Sequence, residues 1–349
     1  GKFGNCTINE KQSFLDCQKM FITALARDGE VLVRHIKDNS EFGYKMQFLE
    51  ADHLREDKNE IAPNGNRIQM GVEINEKNQP VAYHLYKHHP YDYGYTNKVE
   101  TIRVPAEEIL HCYIQERPEQ TRGVPFCASV MSNIKMLNGY YESELVASRT
   151  AAAKMGFFIS QDGDQYVGDG EQEEYFPINN AEPGTFEQLP SGMDFKTFDP
   201  AHPTTAFENF TTSILRSIAS GLNISYHSLS NDLTSVNYSS IRAGTLEDRD
   251  QYRMLQKFMI EHFVEPIFRR WLSQAISSNS LELPINKYDK FADAVSFIPR
   301  SWGWVDPQKE MMANIHGLNS GIVTFQDIEA NYGRDVEELF EQHEREQKL

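Results

Sequence analysis

Three histidines and a nearby carboxylate are the first candidates in this sequence for metal binding or acid–base catalysis. His84, His88, His89 and Asp92 lie within nine residues. Imidazole nitrogens and carboxylate oxygens bind zinc, and they also act as general acids and bases in hydrolases. The spacing matches no standard zinc motif, and neighbouring side chains of an extended segment point to opposite faces. One hypothesis is therefore an intracellular hydrolase or metal-dependent enzyme that uses His84, His88 and Asp92. The alternative is that these side chains make ordinary structural contacts.

A second acidic pattern partly resembles a calcium-binding loop. Asp162, Asp164 and Glu173 stand at the first, third and twelfth positions that an EF-hand loop uses for ligands. Val167 stands where the sharp turn requires glycine, and Tyr166 replaces a further ligand. We therefore expect no bound metal here, and no other cofactor.

The motifs that identify several large classes of enzyme are absent from the sequence. It contains no G-x-x-x-x-G-K-[ST] phosphate loop, no G-x-G-x-x-G after a predicted strand and no G-x-S-x-G elbow. The four cysteines are scattered without a C-x-x-C pair, which indicates free thiols in a reducing compartment. The sequence therefore lacks the usual signature of an ATPase.

Composition and charge narrow the possible partners. The 349 residues are 40% hydrophobic and 24% charged, a balance typical of globular proteins with two or three modules. The formal net charge is −17, and tight binding of phosphate backbones depends on Lys and Arg. No apolar run approaches the roughly 20 residues needed to cross a bilayer, so we expect no membrane partner.

The predicted secondary structure changes along the chain, from a β-rich first part to long helices. Residues 10–26 have apolar side chains at helical spacing, and short alternating runs begin near Val31, Tyr44, Val72 and Val99. This pattern predicts an antiparallel meander with a helix packed on it, an α+β fold.

From residue 125 onwards the apolar spacing becomes that of long helices. The pattern predicts helices over 125–155, 205–221 and 241–275, with a kink at Pro266. A helix over 125–155 would be about 45 Å long at 1.5 Å per residue. We interpret so long a helix as a strut or a contact between subunits.

Two polar segments separate these helices. Residues 160–200 hold ten acidic residues and one basic residue, Lys196, with frequent Gly and Pro, which indicates a solvated insertion rich in loops. Residues 228–240 carry no charge except Asp232 and contain neither Pro nor Gly. A loop of about a dozen residues is usually functional or disordered, so we interpret 228–240 as functional and keep a flexible linker as the alternative.

Short motifs link these segments in a fixed order. They include Arg27-Asp28-Gly29-Glu30, Arg122-Gly123-Val124-Pro125, Ile224-Ser225-Tyr226, Asn237-Tyr238-Ser239-Ser240 and Trp304-Val305-Asp306-Pro307. From about residue 20 to about residue 345, this series resembles the portal proteins of lambda-type tailed bacteriophages. The acidic insertion does not match in detail. The family usually has further N-terminal and C-terminal segments, so we expect this sequence to be part of a longer chain.

The resemblance implies a ring-forming portal fold with no catalytic activity of its own. About twelve copies would close around an axis at one capsid vertex, and double-stranded DNA would be packaged and ejected through the hole without specific binding. The implied partners are the terminase, the head–tail connector or adaptor proteins, and the major capsid and scaffold proteins. The implied location is the virion, after assembly in the host cytoplasm. A monomeric adaptor and the enzyme remain as alternatives.

The resemblance also implies a division of the chain and two sets of site residues. The implied parts are a β-rich wing (1–120), a stem helix (121–155), a small loop-rich clip (156–203), a second stem helix (204–222), a tunnel-loop region (223–240), and a wing spine helix followed by C-terminal helices at the start of the crown (241–349). The implied DNA-facing residues of the tunnel loop are Ser230, Asn231, Asp232, Thr234, Ser235, Asn237, Tyr238, Ser239 and Ser240. The implied docking residues of the clip are Asp162, Asp164, Glu171, Glu173 and Glu174.

The charge and the polar stretch agree with such a role. Asn, Ser, Thr and Tyr can touch phosphates without the counterion release that makes Lys and Arg contacts tight. An acidic body repeated around a ring should repel DNA and keep its passage low in friction.

Overall fold

A computed structural model of the chain describes residues 2–92, 100–152, 156–160, 193–197, 207–234, 238–302 and 307–348. The described residues belong to two compact units. The first unit comprises Gly1–Ser129 and Ala219–Leu349, and the second comprises Val130–Ile218. Seven predicted site residues lie outside the described ranges, namely Asp162, Asp164, Glu171, Glu173, Glu174, Ser235 and Asn237.

Helices and antiparallel strands both occur in the chain, as the sequence predicts. The described helices are α1 (Phe14–Asp28), α2 (Met131–Ala152), α3 (Phe207–Gly221), α4 (Tyr226–Ser230), α5 (Tyr238–Met259), α6 (Glu265–Ser277), α7 (Tyr288–Asp293), α8 (Pro307–Ser320), α9 (Phe325–Asn331) and α10 (Val336–Gln347). The described strands are β1 (Glu30–Lys37), β2 (Tyr44–Leu49), β3 (Glu60–Ile61), β4 (Arg67–Gln69), β5 (Val72–Ile74), β6 (Pro80–Tyr86), β7 (Thr101–Pro105), β8 (Ile109–Tyr113), β9 (Gly156–Ser160) and β10 (Met193–Thr197).

Two antiparallel sheets form the β part of the first unit. One has the strand order β2-β1-β8, and the other has the order β3-β4-β5-β6-β7. The strands β5 and β6 pair antiparallel, as the predicted meander requires, and Asn78 takes a positive φ of 59° in the loop between them. One apolar cluster holds side chains from both sheets, including Leu32 of β1 and Tyr83 of β6. Burial of such side chains contributes about 1.5–3 kcal/mol each.

Helix α1 packs against the region between α5 and α6, more than 200 residues later in the chain. Ser13 and Asp16 form a capping box at the start of α1, and Gly29 ends it with φ 83°. Phe21 is fully buried, and its ring stacks on Phe263 with 4.6 Å between centroids. This aromatic contact joins the two parts of the sequence that make up the first unit.

A π-helical turn directly precedes the helix that contains Pro266, where the sequence predicts a kink. Residues Ile260–Val264 form this turn between α5 and α6. Because Pro266 has no N–H, the carbonyl of His262 loses its usual helical donor. The Cys112 thiol donates to that carbonyl with 3.0 Å between Sγ and O. The strand β8 therefore satisfies a backbone group that the proline leaves open.

The second unit contains α2, most of α3 and the antiparallel pair β9–β10. Tyr140 of α2 contacts Phe207 and Phe210 of α3, with ring centroids 5.6 and 4.9 Å apart. The Asn133 side-chain amide also donates to Ser217 Oγ at 3.1 Å. The predicted helices of this part therefore form and pack on each other.

The helix predicted over 125–155 is shorter than expected, and its predicted start is wrong. The helix begins at Met131, so its 22 residues span about 33 Å rather than 45 Å. The N–H of Phe126 donates to the carbonyl of Ala26 at the end of α1. That bond holds the backbone after Pro125 in a turn, which delays the helix.

The C-terminal helices α8, α9 and α10 contain no buried residue among those described. Thr324 and Asp327 form a capping box at the start of α9. Asp335 caps α10 through the N–H of Glu337. Among the helices that the structure describes, none combines the length and the apolar character that a membrane span requires.

Candidate functional site

The predicted tunnel-loop region contains more helix than the sequence indicates. Ser225 caps α4 by accepting from the N–H of Ser228, and Asn231 ends this helix with φ 57°. Helix α5 begins at Tyr238. The expectation of an irregular loop over 228–240 is therefore wrong at both ends, because α4 extends to Ser230 and α5 already begins at Tyr238.

A buried carboxylate from α5 fixes the start of this segment. Asp248 is 5% exposed, and it accepts hydrogen bonds at 2.7 Å from both the N–H and the hydroxyl of Ser225. The Ser228 hydroxyl donates to the same carboxylate. Gly244 lies one turn earlier on α5, where a Cβ would be 3.4 Å from Ser225 Cβ. The close approach of α5 to Ser225 and three donors on one carboxylate hold α4 in place.

Asp232 organises the turn that follows α4. Its carboxylate accepts from the N–H and hydroxyl of Thr234, at 3.0 and 2.6 Å, and from the Tyr226 hydroxyl at 3.0 Å. These hydrogen bonds, with those of Thr234 the strongest, lower the pKa of Asp232. The Ser230 hydroxyl donates to the Tyr226 carbonyl and accepts from the Asp232 N–H. The carboxylate of Asp232 therefore stabilises the turn of its own segment.

Four of the remaining predicted residues are exposed to solvent. Asn231, Thr234, Ser239 and Ser240 are exposed, and Ser239 and Ser240 lie in the first turn of α5. Leu233, which the sequence did not single out, is 58% exposed. Residues 223–240 contain no Lys or Arg. The described part of this surface therefore offers neutral donors and acceptors, with one apolar side chain at its centre.

The histidines of the enzyme hypothesis belong to different networks. His84 Nε2 lies 3.2 Å from Glu73 Oε2, and Lys58 Nζ lies 3.3 Å from His84 Nδ1. Burial is the main cause that lowers the pKa of His84. Glu73 is 1% exposed and also accepts from Arg103 at 2.7 and 3.0 Å. His84 thus belongs to a buried structural network of the five-stranded sheet.

His89 contacts two carboxylates on another part of the surface. Its Nε2 lies 2.9 Å from Glu50 Oε2 and 4.0 Å from Asp52 Oδ2. The three potential ligand atoms lie within 4.8 Å of one another. Arg27 lies 3.7 Å from the other oxygen of Glu50. The contacts of Glu50 with Arg27 and His89 account for this group, and the hypothesis of an enzyme using His84, His88 and Asp92 has no support.

A buried ion network brings together two of the ordered sequence motifs. Glu30 is 2% exposed and accepts from His111 Nε2 at 3.0 Å, Arg122 Nε at 2.7 Å and the Gly123 N–H at 2.9 Å. Burial alone would raise the pKa of Glu30, but the bonds from His111 and Arg122 outweigh it and hold the pKa at about 2. A Cβ on Gly123 would lie 2.1 Å from the Gly29 carbonyl oxygen. The contact therefore requires glycine, and it attaches the segment before α2 to β1.

Comparison with known proteins agrees with these motifs. The family model described as "Phage portal protein, lambda family" matches residues 2–256. The probable portal protein of Halomonas phage phiHAP-1 is 33% identical over 349 residues, which cover 98% of this chain and 67% of that protein. Portal protein B of Escherichia phage lambda is 24% identical, with 97% of this chain and 69% of that protein covered. The chain thus spans about two-thirds of the length of these relatives.

The fold is also similar to a solved structure. A chain in the neck of a native gene transfer agent (GTA) particle, computed with C12 symmetry, superposes with a TM-score of 0.51. Its sequence identity is 14%, and the match covers 95% of this chain and 82% of that one. At this identity the likeness concerns the fold. The ordered motifs, the family match over most of the sequence and the related portal sequences lead to one conclusion: this chain belongs to the lambda family of phage portal proteins.

Proposed function

We propose that copies of this chain close into a ring of about twelve subunits, through which double-stranded DNA is packaged into the capsid and later ejected. The observation that carries the proposal is the polar segment 225–234, which Asp248 holds against α5. Membership of the portal family supports the ring, and the C12 symmetry of the GTA neck supports the subunit number. In this proposal, residues 223–240 face the DNA.

The chemistry of the segment suits a duplex that slides. Tight binding of DNA arises mainly from Lys and Arg, which release counterions from the phosphates. Asn231 and Thr234 are exposed and neutral, and they can contact phosphates without that gain in affinity. The carboxylate of Asp232 is occupied by hydrogen bonds from Thr234 and Tyr226. Such a surface guides a duplex without holding it.

Contacts between subunits would use the apolar side chains that α2 exposes. A group of exposed apolar residues on one helix marks a surface for protein contact. These residues are Met131, Ile134, Met136, Tyr141, Leu145 and Val146. A ring of identical subunits requires two different complementary surfaces on each copy, and this face would supply part of one.

The acidic segment supplies the proposed docking surface for other proteins. Residues 160–200 have ten acidic side chains and one basic side chain, so a basic partner surface would match them. We assign the terminase and the head–tail connector proteins to this part of the clip, through Asp162, Asp164, Glu171, Glu173 and Glu174. The ring would sit at the capsid vertex of the virion, in contact with the major capsid and scaffold proteins, after assembly in the host cytoplasm.

The mass of the assembled protein tests this proposal. Twelve copies of a 40.2 kDa chain amount to about 480 kDa. Mass photometry together with negative-stain imaging should show such particles with a central hole. A chain that stays monomeric, both alone and when expressed with its capsid proteins, would contradict the ring and favour a monomeric adaptor.

A further inference from the structure

A basic cleft in the first unit has no role in the function proposed above. It has a volume of about 390 Å³ and lies between α5, the segment 299–302, α8 and α9. The charged and aromatic side chains that line it include Arg249, Arg253, Arg300, Trp302, Glu310 and Tyr332. Its size lies within the range of small-ligand sites, which is about 300–1,000 Å³.

The charge of the cleft is opposite to that of the whole chain. Three guanidinium groups and one carboxylate line it, so cationic side chains outnumber anionic ones here in a protein of net charge −17. Arg249 and Arg253 are one helical turn apart on α5, so both side chains lie on the same face. Among the described residues, no hydrogen bond or ion pair engages the Arg300 guanidinium. Cations gathered in this way on an acidic protein point to an anionic ligand.

The contacts of Arg253 position its guanidinium group but leave it able to bind an anion. Its guanidinium carbon lies 5.7 Å from the centre of the Trp302 ring, a distance typical of cation–π contacts. Its carboxylate neighbour is Asp250 at 2.8 Å, and the two side chains are 60% and 71% exposed. An ion pair so exposed is weak, so an anion in the cleft can replace Asp250.

We propose that this cleft binds the phosphate group of a nucleotide. A phosphate monoester carries about two negative charges, so it suits a lining of three arginines and one carboxylate better than a singly charged carboxylate does. Guanidinium groups bind phosphate oxygens through paired N–H donors. Trp302 and Tyr332 supply aromatic faces beside these cations, and nucleobases stack on such faces. Two successive phosphates of a nucleic acid strand carry the same charge as one monoester.

This cleft is distinct from the DNA-facing segment, although α5 contributes to both. Asp248 binds Ser225 and Ser228 of that segment, whereas its neighbour Arg249 lines the cleft. Phosphate binding would therefore survive if the proposed role of residues 223–240 were wrong.

Isothermal titration at low salt tests the proposal with four probes: inorganic phosphate, adenosine 5′-monophosphate, a single-stranded oligonucleotide and an oligoglutamate peptide. Arg253→Gln and Arg300→Gln should each weaken nucleotide binding about tenfold or more, since each removes hydrogen bonds between a guanidinium and a charged phosphate oxygen. Trp302→Leu should weaken binding of the nucleotide more than that of inorganic phosphate. Arg253→Lys should retain part of the affinity, because it keeps the charge but loses the paired donors.

Arg345→Gln provides the matched control, because Arg345 is an exposed arginine of α10 that is paired with Glu341. Its affinity should equal that of the unchanged protein. Much tighter binding of the oligonucleotide would identify a nucleic acid strand as the source of the phosphate, and equal binding would identify a free nucleotide. The proposal is overturned if no phosphate probe binds at millimolar concentration, if Arg253→Gln and Arg300→Gln leave affinity unchanged, or if oligoglutamate binds more tightly than the phosphate probes.

Discussion

The substitution Glu30→Gln removes a buried negative charge while keeping the size of the side chain. Its carboxylate lies between His111 and Arg122, and it has a pKa of about 2 instead of 4.5. That difference corresponds to about 3 kcal/mol of the free energy of unfolding at neutral pH, at about 1.4 kcal/mol for each pKa unit. We therefore expect Glu30→Gln to lower that free energy by about 3 kcal/mol, and urea unfolding followed by circular dichroism measures it.

The stabilisation by Glu30 should depend on pH in one direction only. Because folding lowers the pKa of Glu30, its contribution is complete above pH 4.5 and is lost as the pH falls toward 2. The difference between the unchanged protein and Glu30→Gln should therefore be constant near neutrality and shrink below pH 4.5. Glu108→Gln is the control, since Glu108 pairs with Arg34 at a site open to solvent on both side chains, 42% and 29% exposed, and should contribute at most about 1 kcal/mol. A loss below about 1 kcal/mol in Glu30→Gln, or a difference that persists at pH 2, would refute the reasoning.

Substitutions of Asp248, Gly123 and Cys112, each with a matched comparison variant, test other parts of the structure. Asp248→Asn should lower the free energy of unfolding by about 1–3 kcal/mol and speed amide exchange in α4. The exposed Asp250→Asn should change that free energy by no more than about 0.5 kcal/mol and leave amide exchange in α4 unchanged. Gly123→Ala should prevent the contact with β1 and lower the melting temperature by several degrees. Gly139→Ala, which meets no atom within 4 Å in the middle of α2, should leave the melting temperature unchanged or raise it. Cys112→Ser should retain most of the stability because a hydroxyl still donates to the carbonyl of His262, and Cys112→Ala should lose about 1–2 kcal/mol more in urea unfolding.

The elements that the sequence predicts best depend on neighbours close in the chain. Apolar spacing predicts the helices that became α2, α3 and α5. The kink near Pro266 is also local, since proline removes a donor from its own helix. Each of these features depends on residues within about one or two helical turns, so the sequence alone contains the signal.

The features that the sequence does not reveal depend on residues far apart in the chain. Asp248 binds Ser225 across 23 residues, and Glu30 binds Arg122 across 92 residues. No spacing rule connects such pairs, because the fold brings them together. For the same reason the helix start predicted at Pro125 is wrong, since a bond from Phe126 to the end of α1 decides it.

The motif series is the one sequence signal that reaches beyond local structure. Its members Arg27-Asp28-Gly29-Glu30 and Arg122-Gly123-Val124-Pro125 meet at the buried Glu30 network. Neither motif indicates this contact by itself. The order of the motifs identifies the family, and the structure supplies the physical reason why two of them occur together.

The proposed function depends most on the position of residues 223–240 beside the DNA. A photoreactive amino acid placed at Leu233, which is 58% exposed in this segment, should cross-link to DNA in filled particles. The same amino acid at Ile61, which is 75% exposed on β3, should give no cross-link. Equal cross-linking at both positions, or cross-linking at Ile61 alone, would contradict the assignment of 223–240 as the DNA-facing segment.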